Sequence, residues 1–298
     1  MSIGNRQRTM RREIVLSLLP VAVILVVFRV YPIITAVIKS FTNWDGLSRN
    51  DWVGAKNYVD LVSSGTFWLV LRNTLVLLLN VPLQVFIGLV VALLLYEQVK
   101  GWRIYRAIIY TPQIISAVII GFLFRTFFSL NGPVNGVLAA IGLERFAIEW
   151  FGNAGTALGV LVLSIVWFSI GWQAIVILGG LSAIPPSVFE AALLDGASYW
   201  QRAFHIVVPM LVRTIEFAVL ASGVWTLTQL FPFLYSMTKG GPGYDTTTLD
   251  YLIYLRSFGF GFGSNYGYAS AVAVILLAVV LAFTAIEMRV ANRADDWN

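Results

Sequence analysis

Six long, mostly apolar runs recur along this chain, at 14–38, 67–96, 104–128, 157–181, 209–235 and 268–288. A hydrocarbon core about 30 Å thick needs roughly 20 such residues per helix, and each run meets that length. Backbone amides and carbonyls find no water in such a core, so a spanning chain must be helical or a closed barrel. Runs this long and continuously apolar select helices. Composition agrees: 58% of residues are hydrophobic, 12% are charged and the mean hydropathy is +0.81, against about 25% charged in soluble domains. The expectation is an all-α membrane protein with about six transmembrane helices. Little chain is left for a soluble domain, so residues 1–298 should form a single transmembrane domain.

Six spans put both termini on one side. Lys and Arg number eleven on the side of the N-terminus and six on the other, and the positive-inside rule then places both ends in the cytoplasm, with 1–13 as the cytoplasmic N-terminus. Arg29, Arg72 and Arg125 fall within spans or near their ends and should sit toward the outer interface or snorkel. The net charge of +5 reflects the cytoplasmic flanks; the basic stretch Arg6 to Arg12 has no interleaved aromatics, which argues against nucleic acid. The first apolar run exceeds the h-region of a cleavable signal and no A-x-A site follows it, so it should be retained. With no cysteine there is no disulfide framework and no thiol chemistry.

Three outer loops follow from this topology. The first, 39–66, carries Trp44-Asp45-Gly46 and Trp52-Val53-Gly54 as turn signals, and Trp44, Trp52, Tyr58 and Trp68 suit an interfacial belt. The second, 129–156, opens on the turn Asn131-Gly132-Pro133 and should hold a short helix near 134–141. The third, 238–267, holds Gly240-Gly241-Pro242-Gly243 and a glycine-rich aromatic stretch at 258–268.

The cytoplasmic segment 182–208 is too polar to span. Ser187 to Glu190 and Ser198 to Gln201 both match the capping box S/T-x-x-E/Q, and Gly196 suits a helix C-terminus. Two short helices meeting at a glycine bend are expected. On the first, Ala191 and Ala192 let a partner backbone approach, Phe189 and Leu193 would fill a pocket in it, and Glu190 and Asp195 would set orientation. The alternative is a helix lying on lipid headgroups. Such helices favour Lys and Arg on their polar face, and this one has only acids.

The run Glu190-Ala191-Ala192, Asp195-Gly196, Ile206 and Pro209 resembles the EAA loop of ABC importer permeases. Further stretches resemble the carbohydrate type, of the maltose and glycerol-phosphate permease sort: Asn57-Tyr58, Arg72-Asn73-Thr74, Tyr110-Thr111-Pro112, Gly132-Pro133-Val134-Asn135, Thr238 to Pro242 with Thr246-Thr247-Thr248, and Tyr266 to Ala271. Together they cover nearly the whole chain. The resemblance implies a type I importer permease fold whose EAA helix (Phe189, Glu190, Ala191, Ala192, Leu193, Asp195, Gly196) couples to a cytoplasmic ATPase dimer. It implies a second permease, a different chain in the family's usual heterodimers, and an extracytoplasmic solute-binding protein. It further implies a bacterial or archaeal inner membrane, with ATP and Mg bound by the ATPase and no cofactor on this chain. Leu193-Leu194 makes the EAA helix more apolar than the family pattern.

On the fifth run, Ser222, Trp225, Thr226 and Gln229 fall at i, i+3, i+4 and i+7, one stripe of a helix. Hydroxyls, an amide and an indole suit a neutral sugar; the alternative is that Ser222 and Thr226 bond their own helix or glue it to a neighbour. Asn80 and Gln84, around Pro82, either line a cavity or satisfy a broken turn, and Gln173 beside Trp172 is similar. Gly171, Gly179 and Gly180 should permit close helix packing, and Arg213 should pair with Glu216. His205, the one histidine, suits a contact within the EAA loop. The chain has no P-loop motif and no clustered metal ligands. The other function classes are an ATP-independent channel or secondary carrier, which needs an acidic or histidine relay, and a membrane enzyme, which needs clustered His, Asp and Glu.

Overall fold

The computed structural model describes residues 3–97, 100–259 and 264–295. Among them the regular elements are helical, with one isolated pairing of Thr42 and Trp52. Part of the glycine-rich stretch at 258–268 therefore lies outside the described residues. The chain groups into two compact units, 1–63 with 253–275 and 64–252 with 276–298.

In the first unit, α1 (Ile3–Leu25) passes through a π-helical turn (Val26–Val30) into α2 (Tyr31–Lys39). The turn has a local cause. Tyr31 N–H reaches back five residues to Val26 O, and the next residue is Pro32, which has no N–H to continue the ordinary ladder. The first outer loop then carries α3 (Lys56–Val62). It is tied by Asn57, whose buried amide donates to Ser40 O and Thr42 O, both at 2.8 Å. Backbone N–H groups of Leu47 first, then of Arg49 and Ser48, converge on Asp45 and hold its carboxyl below the usual range. Trp44 packs against Tyr266 at 5.2 Å, and Gly267 N–H donates to Trp44 O.

In the second unit, α4 (Gly65–Leu77) and α5 (Asn80–Tyr96) form one candidate span. The run at 104–128 is not one straight helix: α6 (Trp102–Ile114) and α7 (Ala117–Phe127) meet at 100°. Pro112 deprives the last turn of α6 of a donor, and Ile115 and Ser116 are extended. The short helix expected in the second outer loop is α8 (Pro133–Ala140). The longest straight element before the cytoplasmic segment is α9 (Ala154–Leu181), N-capped by Asn153, whose side chain accepts from Gly155 N–H at 2.8 Å. It packs along α5 and against α6. At the α6 crossing, a Cβ on Gly171 would sit 2.8 Å from Ile109 O, so only glycine lets the helices come this close.

The cytoplasmic segment holds α10 (Pro186–Leu194), α11 (Tyr199–Arg202), a second π turn (Ala203–Val207) and α12 (Val208–Met210). This π turn has the same origin as the first: Val208 N–H reaches Ala203 O and Pro209 follows. The fifth run is likewise broken, by a 72° bend before α13 (Val212–Thr228) and again at Gln229–Leu230 before α14 (Phe231–Met237). After α15 (Leu249–Phe258), α16 (Tyr266–Asp295) completes the chain. Among the described residues four helices are long and apolar enough to span, or six with each bent pair as one span.

Candidate coupling face and solute cavity

The segment's two short helices are made by different devices. Pro185 is the N-cap of α10 and no side chain caps it. The first of the two expected capping boxes is therefore absent: Pro186 starts the helix one residue early, at a position where its missing N–H costs nothing, and this puts Ser187 inside the first turn. The second box forms. Gln201 N–H donates to Ser198 Oγ at 3.4 Å, and Ser198 N–H to Gln201 Oε1 at 2.8 Å. Between them Gly196 takes φ +74°. Its N–H bonds Leu193 O while Ala197 N–H bonds Ala192 O, both at 3.1 Å, the paired closure in which a left-handed residue ends a helix.

This geometry gives α10 two faces. Phe189 stacks on Tyr96 of α5 at 5.3 Å, and Ala192 is buried. With Val188, Phe189 rests on a core built from Leu89, Leu93, Ile177, Leu181, Ala203 and Val207. Glu190, Ala191, Leu193, Asp195 and Gly196 are exposed, and Leu194 is 89% exposed. Of the seven residues expected to meet a partner, five face outward. Phe189 instead fastens the helix to its own spans, and Ala192 is buried. His205 Nδ1 lies 3.3 Å from Gln201 O, inside the segment.

Within the spans, a cavity of about 200 Å³ opens among α5, α6, α9 and α13. Its rings are Phe168, Trp172 and Trp225, and its polar groups are Gln84, Gln113, Ser169 and Ser222. No acidic or basic side chain lines it. Phe168 and Trp225 stack at 5.9 Å. The stripe on α13 therefore divides: Ser222 and Trp225 reach the cavity, whereas Thr226 is buried and accepts from Asn80 Nδ2 at 3.3 Å. Gln229 is the exposed C-cap residue of α13 and is absent from the lining. Gln84 does both things expected of it, lining the cavity and donating to Asn80 Oδ1 at 2.8 Å. Gln173 donates to Ser222 Oγ, and its own carbonyl oxygen is buried without a partner. Sequence reasoning passed over Gln113, Phe168 and Ser169. Ser169 and Trp172, three apart within an apolar run, were the signal available.

Several motif residues outside the EAA loop, Asn57, Asn73, Thr74 and Asn135, prove to tie loop backbone. Asn73 donates to Tyr244 O at 3.0 Å and Thr247 O at 3.1 Å, and Leu249 N–H donates to Thr74 Oγ1 at 3.0 Å. Asn135 donates to Leu130 O and Ile148 O, both at 2.9 Å, and accepts from Trp150 Nε1 at 2.8 Å. Asp250 is half-buried with its Oδ2 enclosed and unpaired, and burial of the carboxyl pushes it above the usual range despite hydrogen bonds from the Thr248 hydroxyl and Tyr251 N–H. Arg213 and Glu216 pair at 3.5 Å, as their spacing predicts. Gly180 is packed close against Thr214, but Gly179, expected to be packed likewise, faces open space.

Residues 84–295 match the family described as "Binding-protein-dependent transport system inner membrane component". The chain is 35% identical to the sulfoquinovosyl glycerol transport system permease protein SmoG of Agrobacterium fabrum, over 94% of this chain and 91% of that one. It is 31% identical to the lactose transport system permease protein LacF of Rhizobium radiobacter, over 89% of each. Among solved structures, a bacterial ABC transporter involved in import of the acidic polysaccharide alginate superposes with a TM-score of 0.82 at 26% identity, over 97% of this chain and 99% of that one. A second structure of a bacterial alginate transporter, in complex with an alginate pentasaccharide-bound periplasmic protein, also has a TM-score of 0.82.

Proposed function

The chain belongs to the binding-protein-dependent transport system inner membrane components, and from that premise we propose that it forms, with a second permease, the path of an ATP-driven importer for a sugar or sugar-like solute. Both of its units act as parts of one multi-pass transmembrane domain, in a bacterial or archaeal inner membrane. A binding protein on the outer side delivers the solute, and a pair of ATPase subunits that bind ATP and Mg sits below.

The observation that carries this reading is the uncharged cavity at the junction of four helices, with three rings and four neutral hydrogen-bonding side chains. Aromatic faces cover the apolar side of a pyranose, while amides and hydroxyls exchange hydrogen bonds with its rim. An acidic polysaccharide would require a cation that this chain's cavity lacks. Relatives named for lactose and for sulfoquinovosyl glycerol support a glycosidic solute.

Coupling follows from the two faces of α10. The exposed Glu190, Ala191, Leu193 and Leu194 dock on the ATPase, with Asp195 and the Gly196 bend completing the contact. The inner face is clamped to the cytoplasmic ends of α5 and α9 through Val188 and Phe189. A displacement of α10 is thus passed as a rigid-body push to the helices that line the cavity, because packed interiors transmit strain instead of absorbing it. A secondary carrier would need titratable groups at the cavity, and its lining has none.

The test joins two measurements. Cross-linking from Ala191→Cys in intact cells should capture a nucleotide-hydrolysing subunit. Trp225→Ala should depress uptake while the complex still assembles. Failure of the cross-link removes the ATPase assignment; unchanged uptake removes the cavity from the path.

A further inference from the structure

A second cavity, of about 610 Å³, lies along the same helices toward their cytoplasmic ends. On α9, Phe168 and Trp172 face the first cavity, and Ile175, Gly179 and Ser182 face the second. These intervals of four, three, four and three trace one stripe of a helix. On α6, Gln113 faces the first cavity and Tyr110, Arg106 and Trp102 face the second, again one stripe. The two openings are consecutive stations on a single α6–α9 seam, pinched where Gly171 meets the backbone of Ile109 and Tyr110. From Phe168 to Ser182 the seam runs about 21 Å at 1.5 Å per residue.

The inner cavity keeps the ring faces of the first and adds a cation. Trp102 and Tyr110 supply ring faces, and the Arg106 guanidinium lies over the Tyr110 ring at 5.4 Å. Among the described residues no carboxylate pairs with Arg106. The Tyr110 hydroxyl is buried without a hydrogen-bond partner, a state that costs about 1–3 kcal/mol unless something meets it. A partner rich in hydroxyls, with one flat apolar face, satisfies all of these at once. A phosphate headgroup would use the guanidinium and the hydroxyl and leave the ring faces idle.

We propose that this inner cavity is a second saccharide subsite, in line with the mid-membrane one, holding the leading part of the solute before release to the cytoplasm. The proposal rests on the sugar-import reading above. It makes the cargo a chain of sugar units, or one unit handed between two stations.

The absence of native cysteine allows a direct test. Single cysteines are placed at Gly179, where an added side chain meets nothing within 4 Å, at Ala221 in the mid-membrane cavity, and at exposed Leu94 of α5 as a lipid-facing control. Inverted membrane vesicles bearing the full chain are treated with a glucosyl methanethiosulfonate and with the hydroxyethyl reagent. Gly179→Cys should react about fivefold faster with the glucosyl reagent, the worth of one good polar contact. Adding Arg106→Gln, at an exposed position that leaves the fold intact, should return the ratio to that of Leu94→Cys. If Ala221→Cys keeps the preference and Gly179→Cys shows none, the inner subsite is overturned and the import reading stands. If neither shows it, the sugar reading of both cavities falls. Reaction of Gly179→Cys with a membrane-soluble maleimide alone marks a lipid-filled pocket and also overturns the proposal.

Discussion

The EAA helix and the polar stripe of α13 are both short patterns read at helical spacing, yet they divide in opposite ways. On α10 the apolar Phe189 and the small Ala192 turn inward, and the charged or projecting residues turn outward. On α13 it is polarity that divides: Thr226 is consumed by a bond to Asn80, Ser222 is bonded by Gln173 yet still lines the cavity, and Trp225 lines it too. On α10 polarity alone does not sort the two sides, since Leu193 and Leu194 stand exposed beside Glu190 and Asp195. Inside a bundle, a polar side chain seeks whichever neighbour offers a partner, because leaving it unpaired costs more than any single bond gains.

The sharpest way to break this contrast is Gly196→Pro. Proline cannot take φ +74° and has no N–H for Leu193 O; a cost of about 3 kcal/mol or more at the bend should lower uptake roughly 100-fold. Uptake assays with membrane levels checked by immunoblot decide it: normal transport would mean that the bend does not set the α10 pose.

Next in size is the split within the stripe. Trp225→Ala should cut uptake about tenfold, in line with roughly 1.5 kcal/mol for a lost ring contact, whereas Gln229→Ala should change it by less than about twofold, as expected at a surface position. Equal losses from the two would restore the whole stripe to the site.

The two faces of α10 separate by a different readout. Phe189→Ala should lower thermal stability by about 2 kcal/mol through lost packing on Tyr96. Leu194→Ala should leave the melting temperature alone and weaken ATPase co-purification several-fold, for about 1 kcal/mol of apolar contact. A Leu194 variant that melts early would show that this face is structural.

The smallest effect concerns Asp250. Its folded carboxyl titrates above the usual range because it is buried, so the folded state holds its proton more tightly than the unfolded one. Stability from this group is present below the ordinary carboxylate value and falls as pH rises through the folded value. Asp250→Asn should therefore flatten the alkaline side of the thermal-stability profile in that window while leaving transport intact. A variant that keeps the wild-type slope assigns it to another group.

Much of the architecture was legible in the residues. Span length is dictated by bilayer thickness, and the helix ends at Gly196 and Ser198 by capping chemistry that acts over a few residues. The misreadings share one cause. Ser187 was taken for a cap because the pattern S-x-x-E does not say where the helix begins, and Pro186 decided that. Hydropathy shows 104–128 as one run because it averages over the turn that Pro112 and the extended Ile115 and Ser116 break. Asn57, Asn73 and Asn135 stood out as motif letters without a task. Their carbonyl acceptors are as far off as Tyr244 and Thr247 are from Asn73, and no local pattern names a partner at that separation.

By itself, then, the sequence determined which segments are helical, which are apolar enough to span a membrane and which helix carries the EAA pattern, since each of these depends on composition or on forces between near neighbours. Tertiary structure alone decided which side of α10 is free, which polar groups of α13 remain open to a solute, and that α6 and α9 share a seam with two cavities. Those outcomes depend on which helix packs beside which, and burial and hydrogen-bond satisfaction are settled only when the distant partner arrives.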